Sequence, residues 1–161
     1  MVDIDGTIAD CSHRLHYINS CTTTVGSMIC SRGTLGCDVV AHPKKDWPSF
    51  FKACGDDAPI QPIIDLVKLL SKQYTILIVS GRAIDFAGKL TEDWLDKHGV
   101  PYTHLFMRNG GDGRSDVEIK REILDLLPRD RIKYVLDDRP AVLDGVWRKA
   151  GLTTLQVGDG R

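Results

Sequence analysis

The run Thr75-Ile76-Leu77-Ile78-Val79 places five apolar or β-branched residues in succession, with no polar alternation. A strand with one face in water alternates, so an unbroken run implies cover on both faces, the condition of a strand inside a parallel sheet. The flanks agree. Before the run, Ile60, Ile63, Ile64, Val67 and Leu70 fall at i, i+3, i+4, i+7 and i+10, one apolar stripe of an amphipathic helix. After it, Phe86, Leu90 and Trp94 mark a second helix, which His98-Gly99-Val100-Pro101 closes with a glycine stop and a proline beyond. Residues 102–107 read as a strand, 116–127 as a helix ended by Pro128, and 132–136 as a buried strand. Residues 141–150 read as a helix with Leu143, Val146 and Trp147 inward and Gly151 as its cap, and 153–157 as a last strand. Strand-then-helix order of this kind predicts an α/β fold with a parallel sheet, right-handed crossovers and helices on both faces.

In such a sheet, ligands bind at the carboxyl ends of the strands. The chain opens with Asp3-Ile4-Asp5-Gly6-Thr7, two carboxylates one residue apart between an apolar start and a glycine turn. Where a strand ends and the chain curls, carboxylates two apart can converge on one reacting atom. An inert acidic turn is the plain alternative. A calcium loop needs a further oxygen ligand before the glycine and a Glu near the loop end, and these are missing.

At 161 residues the chain fits one domain, residues 1–161, large enough to bury a core unaided. Its 21 basic and 22 acidic side chains nearly balance, so net charge announces neither nucleic acid nor membrane. There is no long apolar run and no basic-then-apolar leader pattern, which makes a cytoplasmic protein the expectation. Five cysteines, Cys11, Cys21, Cys30, Cys37 and Cys54, are odd in number and argue against a disulfide framework. Their spacing is not that of a zinc knuckle, although Cys21, Cys30, Cys37 and His42 leave a loose metal site open. From Asn19 to Pro43 regular pattern is lost in Ser, Thr, Gly and Cys, and the expectation is a mobile insertion. Asp46 as a cap and Trp47, Phe50 and Phe51 at helical spacing then suggest a short docking helix, so that residues 19–58 form an insertion or small cap region within the domain.

The remaining chemistry-bearing residues sit after strands or on the helix that follows. The second strand delivers Ser80-Gly81-Arg82, the fourth delivers Asp137-Asp138-Arg139, and Lys120 lies on the helix after the third. Singly, each has an ordinary explanation: Ser80 or Asp116 as a helix cap, Lys120 as a solvated helix face. Together and in this order they resemble the haloacid dehalogenase-like phosphatase superfamily along nearly the whole chain. The resemblance implies a Rossmann-like three-layer sandwich with a five-stranded parallel sheet, Asp3 as a nucleophile forming an aspartyl-phosphate, and Asp5 as acid and base. It also implies Mg²⁺ held by Asp3, the carbonyl of Asp5, and Asp137 and Asp138, with Asp138 favoured as the direct ligand. Ser80 would donate to the phosphoryl group, Lys120 would offset charge on it and on Asp3, and Thr7 would help hold Asp5. Such a site suits the reaction, because an anionic nucleophile meets an anionic phosphate only where cations neutralise both.

Within that superfamily the chain is similar to the phosphatase half of phage polynucleotide kinase/3′-phosphatases. The matching pieces are the Asp pair with Arg14, Val79-Ser-Gly-Arg82, Met107-Arg108, Gly111-Asp112-Gly-Arg114, Asp116 with Lys120, Asp137-Asp-Arg139, Trp147-Arg148 and Gln156-Val157. The resemblance implies that Arg14, Arg82 and Asp116 matter for activity. Asp116 and Lys120, four apart, share a helix face, so one can orient the other. Surface ion pairing is the competing explanation for Arg82 and Arg139. Arg14, Arg82, Arg108, Arg114 and Arg139 are expected to ring the crevice, beside Thr7, Gly81 and Asp116, and guanidinium forks suit a nucleotide or nucleic-acid end. No Gly-x-x-x-x-Gly-Lys-Ser/Thr loop occurs, so the kinase half has no counterpart in these residues.

Two departures qualify the match. Only Met1 and Val2 precede Asp3, where relatives carry a longer apolar strand, and a truncated product or a misplaced start is the expectation this raises. The insertion is the other. Three readings follow: a Mg²⁺-dependent phosphatase of polynucleotide 3′-phosphates or nucleotides, a phosphatase of another small phosphomonoester, and a non-catalytic phosphate-binding remnant with a misplaced Asp pair.

Overall fold

The computed structural model describes residues 1–19, 24–25, 28–29 and 45–159. After the opening segment come β1 (Ala9–Asp10), a 3-10 turn (Ser12–Arg14), α1 (His16–Asn19) and an antiparallel pair, β2 (Thr24–Val25) with β3 (Met28–Ile29). Next are α2 (Trp47–Lys52), a 3-10 turn (Ala53–Asp56), β4 (Ala58–Pro59) and α3 (Gln61–Leu70). The alternating half follows as β5 (Leu77–Ala83), α4 (Ile84–Lys97), β6 (His104–Arg108), α5 (Asp116–Asp125), β7 (Val135–Asp137), α6 (Pro140–Val142) and β8 (Thr154–Gln156). Most of the insertion at 19–43, and with it the loose Cys21, Cys30, Cys37 and His42 site, lies outside the described residues. Cys11 and Cys54 are both free thiols.

β5 pairs in parallel with β6, and β7 with β8. Val2 lies between the two pairs, bridged in parallel to Ile78 on one side and Leu136 on the other. Regular ladders among the described residues are therefore two-stranded, narrower than the five-stranded sheet expected. The opening segment is nonetheless held on both sides. Val2 donates to the Leu77 carbonyl, Val79 to Val2, Asp3 to Leu136 and Leu136 to Met1, at 2.9–3.0 Å.

Successive strand residues face opposite ways, and the core divides accordingly. Val2, Ile78 and Leu136 pack with Ile64 and Val67 of α3 and with Trp94 and Leu95 of α4. Val79 and Val135 pack with Ile119, Ile123 and Leu124 of α5 and with Leu143, Val146 and Trp147. The unalternated run at 75–79 is thus explained by cover on both sides. A third cluster joins Phe50, Phe51 and Cys54 to Ala83 of β5 and Ala87 of α4, so two of the three aromatics of α2 pack on the body as the spacing predicts, while Trp47 stays exposed.

Several boundaries differ from the sequence reading, and three of the differences bear on the site. β5 continues through Ser80-Gly81-Arg82, with its register to β6 broken between Val79 and Ala83, so the motif lies on a distorted strand end. The helix expected over 141–150 is α6 followed by a wider π-wound turn, Leu143–Arg148. The cap of α5 is Ser115, whose hydroxyl accepts from Glu118 N while Glu118 reaches back to Ser115 N, a capping box that frees Asp116 for other contacts.

Candidate active site

Asp3 leaves the strand position held by Val2, and the chain then turns sharply at Gly6, whose φ is +81°. The turn closes with Gly6 N to Ala9 O at 2.8 Å and Thr7 N to Ile4 O at 3.1 Å. Glycine is required here twice over. The left-handed region disfavours side chains, and a Cβ at Gly6 would lie 2.3 Å from Asp138 Oδ2.

Lys120, fully buried on α5, is the centre of one half of the site. Its Nζ lies 2.8 Å from Asp137 Oδ2, 3.0 Å from Asp3 Oδ1 and 3.6 Å from Asp116 Oδ2. Burial alone would lower the ammonium's pKa, but Asp3, Asp116 and Asp137 overcome it and hold the charge firmly on. Burial pushes the Asp3 carboxyl well above the ordinary range; Lys120 opposes that shift, and Asp137, Asp116 and Asp138 add to it.

Asp137 and Asp138 are adjacent but differently engaged. Asp137 Oδ2 accepts from Lys120 Nζ and from Trp147 Nε1 at 3.0 Å, while Oδ1 accepts from Arg139 N at 3.0 Å. Asp138 Oδ1 accepts a long bond from Thr7 Oγ1, 3.4 Å, and burial with the neighbouring Asp137 charge pushes its carboxyl up to about 6. One carboxylate oxygen each from Asp3, Asp137 and Asp138 lies within 4.8 Å of the others. Three converging carboxylates with one buried ammonium form an oxygen-only donor set that fits a hard divalent cation. Thr7 belongs to this half, since its Oγ1 donates to Asp138 Oδ1; among the described residues no hydrogen bond joins it to Asp5, where the contact was expected.

Asp5 sits in the other half, in the opposite electrostatic setting. Arg14 Nη2 reaches its Oδ1 at 2.5 Å, and Arg82 reaches the same oxygen through Nε at 3.0 Å and Nη2 at 2.6 Å. Burial would raise the Asp5 carboxyl, but Arg82 and Arg14 more than cancel this and hold it below the usual carboxylate range. Two aspartates two residues apart are thus driven in opposite directions, Asp3 up by burial and Asp5 down by its two guanidiniums.

The expected ring of five arginines is corrected. Arg14 and Arg82 are both 0% exposed, with their guanidiniums on Asp5 and Asp57 rather than at a crevice rim, and a surface ion pair does not describe Arg82 either. Their burial follows from the paired carboxylates, without which a guanidinium would not leave water. Arg108 is turned inward, donating to the carbonyls of Gly81, Asp112 and Arg114. Exposed guanidiniums remain at Arg114, 47% accessible and paired with Asp112 and Glu122, and at Arg139, 50% accessible and 3.0 Å from Asp116 Oδ2. Asp116 Oδ1 takes no hydrogen bond among the described residues. It faces Gly81, where a Cβ would lie 2.1 Å from it. Ser80 is buried and caps no helix; its Oγ accepts from Arg82 N at 3.2 Å, which leaves the hydroxyl proton free to donate elsewhere.

Sequence reasoning missed Asp57, His13 and Thr91, which complete the arginine half of the site. The Asp56-Asp57 pair just before the first amphipathic helix was the available signal. It carried no meaning without knowledge that β1 and β4 pair, Asp10 with Ala58, and so bring residue 57 next to Arg14.

With fold and site in place, comparison with known proteins identifies the class. The chain belongs to the haloacid dehalogenase-like superfamily, in the family described as the polynucleotide kinase PNKP phosphatase domain, whose model matches residues 38–161. The match covers Ser80, Lys120 and Asp137-Asp138 and begins after the Asp3-Asp5 turn. Among solved structures, a chain of the Pnkp1/Rnl/Hen1 RNA repair complex is similar at 25% identity with a TM-score of 0.69, over 99% of this chain and 42% of that one. A second structure of the Pnkp1/Rnl/Hen1 complex gives 25% identity and 0.70, over 99% and 45%. This chain therefore spans less than half the length of those relatives. A haloacid dehalogenase-like family hydrolase from Streptococcus pneumoniae shares the fold at 18% identity and 0.63, over 99% of this chain and 85% of that one. No curated protein sequence matches. Among the described residues no helix is long and apolar enough to cross a membrane.

Proposed function

We propose that this chain is a Mg²⁺-dependent phosphomonoester hydrolase that works through an aspartyl-phosphate on Asp3, with polynucleotide 3′-phosphate ends or nucleotides as substrate. The observation that carries the reading is Lys120 Nζ, buried between Asp3 and Asp137, while Asp5 is held separately by Arg14 and Arg82. Asp3 Oδ attacks phosphorus, the bond from phosphorus to the leaving oxygen breaks, and the proton of Asp5 passes to that oxygen. Water then attacks the phosphoryl group and gives its proton back to Asp5. The bond from phosphorus to Asp3 breaks, releasing inorganic phosphate and restoring the Asp3 carboxylate. The lowered pKa of Asp5 suits the second half, and an incoming phosphate dianion raises it toward the first.

Asp3 and Asp138 would hold the metal directly and Asp137 through water, because both Asp137 oxygens already accept hydrogen bonds from the protein. Bound there, Mg²⁺ supplies positive charge to the phosphoryl oxygens and orients the nucleophile. Ser80 Oγ donates to the phosphoryl group, and Lys120 offsets its charge. Asp116 orients Lys120 and anchors Arg139, and Arg108 braces Gly81 against the 108–114 loop. Arg114 and Arg139 are left to meet further phosphates. We read the two parallel pairs and the Val2 bridges as one five-stranded sheet, and residues 1–161 as one domain. Within the 19–58 region, residues 45–58 pack with the body through Phe50, Phe51 and Cys54.

The withdrawal of Arg14, Arg82 and most of Arg108 from the surface favours a second reading, hydrolysis of a smaller phosphomonoester by the same chemistry. Phosphate release from 4-nitrophenyl phosphate, a 3′-phosphorylated oligonucleotide and 3′- and 5′-mononucleotides, each with Mg²⁺ or EDTA, tests both. Mg²⁺-dependent release with the 3′-phosphorylated end preferred is expected. Preference for a small alcohol phosphate would favour the second reading, and no Mg²⁺-dependent release by folded protein on any of them would end both.

A further inference from the structure

Beneath Asp5 lies a carboxylate that no solvent reaches. Asp57 is buried, and both of its oxygens are occupied: Oδ1 accepts from Arg14 Nε at 2.7 Å and meets His13 Nε2 at 2.9 Å, while Oδ2 accepts from Arg14 Nη2 and Arg82 Nη2, each at 2.7 Å. Its backbone is fixed as well, since its carbonyl accepts Trp94 Nε1 at 2.7 Å. Arg14 is further held by the Phe50 carbonyl and stacked 4.2 Å over the Phe50 ring, and Arg82 Nη1 donates to Thr91 Oγ1 at 3.0 Å. Each arginine's Nη2 therefore bridges Asp57 to Asp5, and every one of these bridges ends on Asp5 Oδ1. Asp5 Oδ2 accepts no hydrogen bond among the described residues.

We propose that Asp57 is a positioning residue for proton transfer: by holding the inner edges of Arg14 and Arg82 it confines both guanidiniums to one oxygen of Asp5 and leaves Oδ2 open to carry the proton. The inference rests on the acid and base role given to Asp5 above. Two guanidiniums side by side repel, and Asp57 supplies the charge that lets both stay; Asp5, Asp57, Arg14 and Arg82 together are neutral. Without Asp57, each fork is free to close bidentately on Asp5, the favoured geometry of an arginine with a carboxylate, and both Asp5 oxygens are then tied up. Proton donation fails while the nucleophile, the Lys120 half and substrate binding remain.

That consequence separates a positioning role from a merely structural one through the leaving group. Nitrophenolate departs without a proton, whereas an alkoxide needs one. In Asp57→Asn, with a retained cooperative thermal transition, kcat/KM for thymidine 3′-monophosphate or glycerol 2-phosphate should fall by about 100-fold, the low end for loss of general acid catalysis. With 4-nitrophenyl phosphate, kcat/KM should stay within about fivefold, and a burst of nitrophenolate should appear because hydrolysis of the aspartyl-phosphate still needs the base. His13→Ala, which removes a half-exposed partner of Asp57, should give the same selectivity at smaller size and serves where Asp57→Asn does not fold. Equal losses on both substrate types, or none, in the folded variant would overturn the proposal. Asp5→Asn measured alongside should split the substrates in the same direction; if it lowers both equally, the acid assignment fails and Asp57 is not the cause.

Discussion

Gly6 ties backbone conformation to chemistry at a single residue. Its φ of +81° turns the chain between Asp3 and the Thr7 contact, and its missing side chain lets Asp138 approach. Gly6→Ala should cost about 1–2 kcal/mol from the left-handed conformation alone. It should also displace Asp138, lowering phosphate release by about 100-fold or more, a loss of the size seen when one electrostatic contact to the transition state is removed. Thermal unfolding with parallel kinetics checks this, and a variant of wild-type activity would refute the close packing of Asp138 on the turn. At this scale the sequence was informative about type and poor about direction. Asp3, Lys120, Asp137 and Asp138 do meet, as their positions at strand ends suggested. Arg14 and Arg82 were expected to face substrate and instead face inward, because the acceptor that draws them, Asp57, lies 43 and 25 residues away and has no local signature.

Among the elements, α5 shows how local sequence positions a buried charge. Ser115 and Glu118 close a capping box, Asp116 and Glu118 favour the helix N-terminus, and Ile119, Ile123 and Leu124 face the core, so Lys120 is carried to the carboxylates by a helix that starts at a fixed point. Ser115→Ala should remove about 1 kcal/mol of stability, read as a lower urea midpoint at unchanged slope, with activity within about twofold of wild type below the transition. A change in slope or a large loss of activity would mean that the cap also shapes the site. The periodicity of α3, α4 and α5 made them legible, as did the unalternated run that became β5. The π-wound turn after α6 was not, because its 143–148 register serves two distant demands: Leu143, Val146 and Trp147 in the core, and Trp147 Nε1 on Asp137.

Across the whole molecule, the site gathers residues from distant parts of the chain: Asp3 and Asp5 from the opening segment, Asp57 beside β4, Arg82 on β5, Lys120 on α5, Asp137 at the end of β7 and Asp138 just after it. Alternation of strand and helix was enough to foresee that gathering, since parallel order brings strand ends to one edge. It could not foresee the partition of the edge into a carboxylate-and-lysine half and an arginine-clamped half, which depends on pairings between residues far apart in sequence. In the proposed reaction that partition gives Asp3 and Asp5 different work, and the most direct test is to catch Asp3 in the act. Protein mixed with Mg²⁺ and 4-nitrophenyl phosphate, quenched in acid within one turnover and digested, should yield the peptide containing Asp3 with one added phosphoryl group, absent in Asp3→Asn and in EDTA. Turnover with no phosphorylated Asp3, or with the phosphoryl group on another residue, would contradict it.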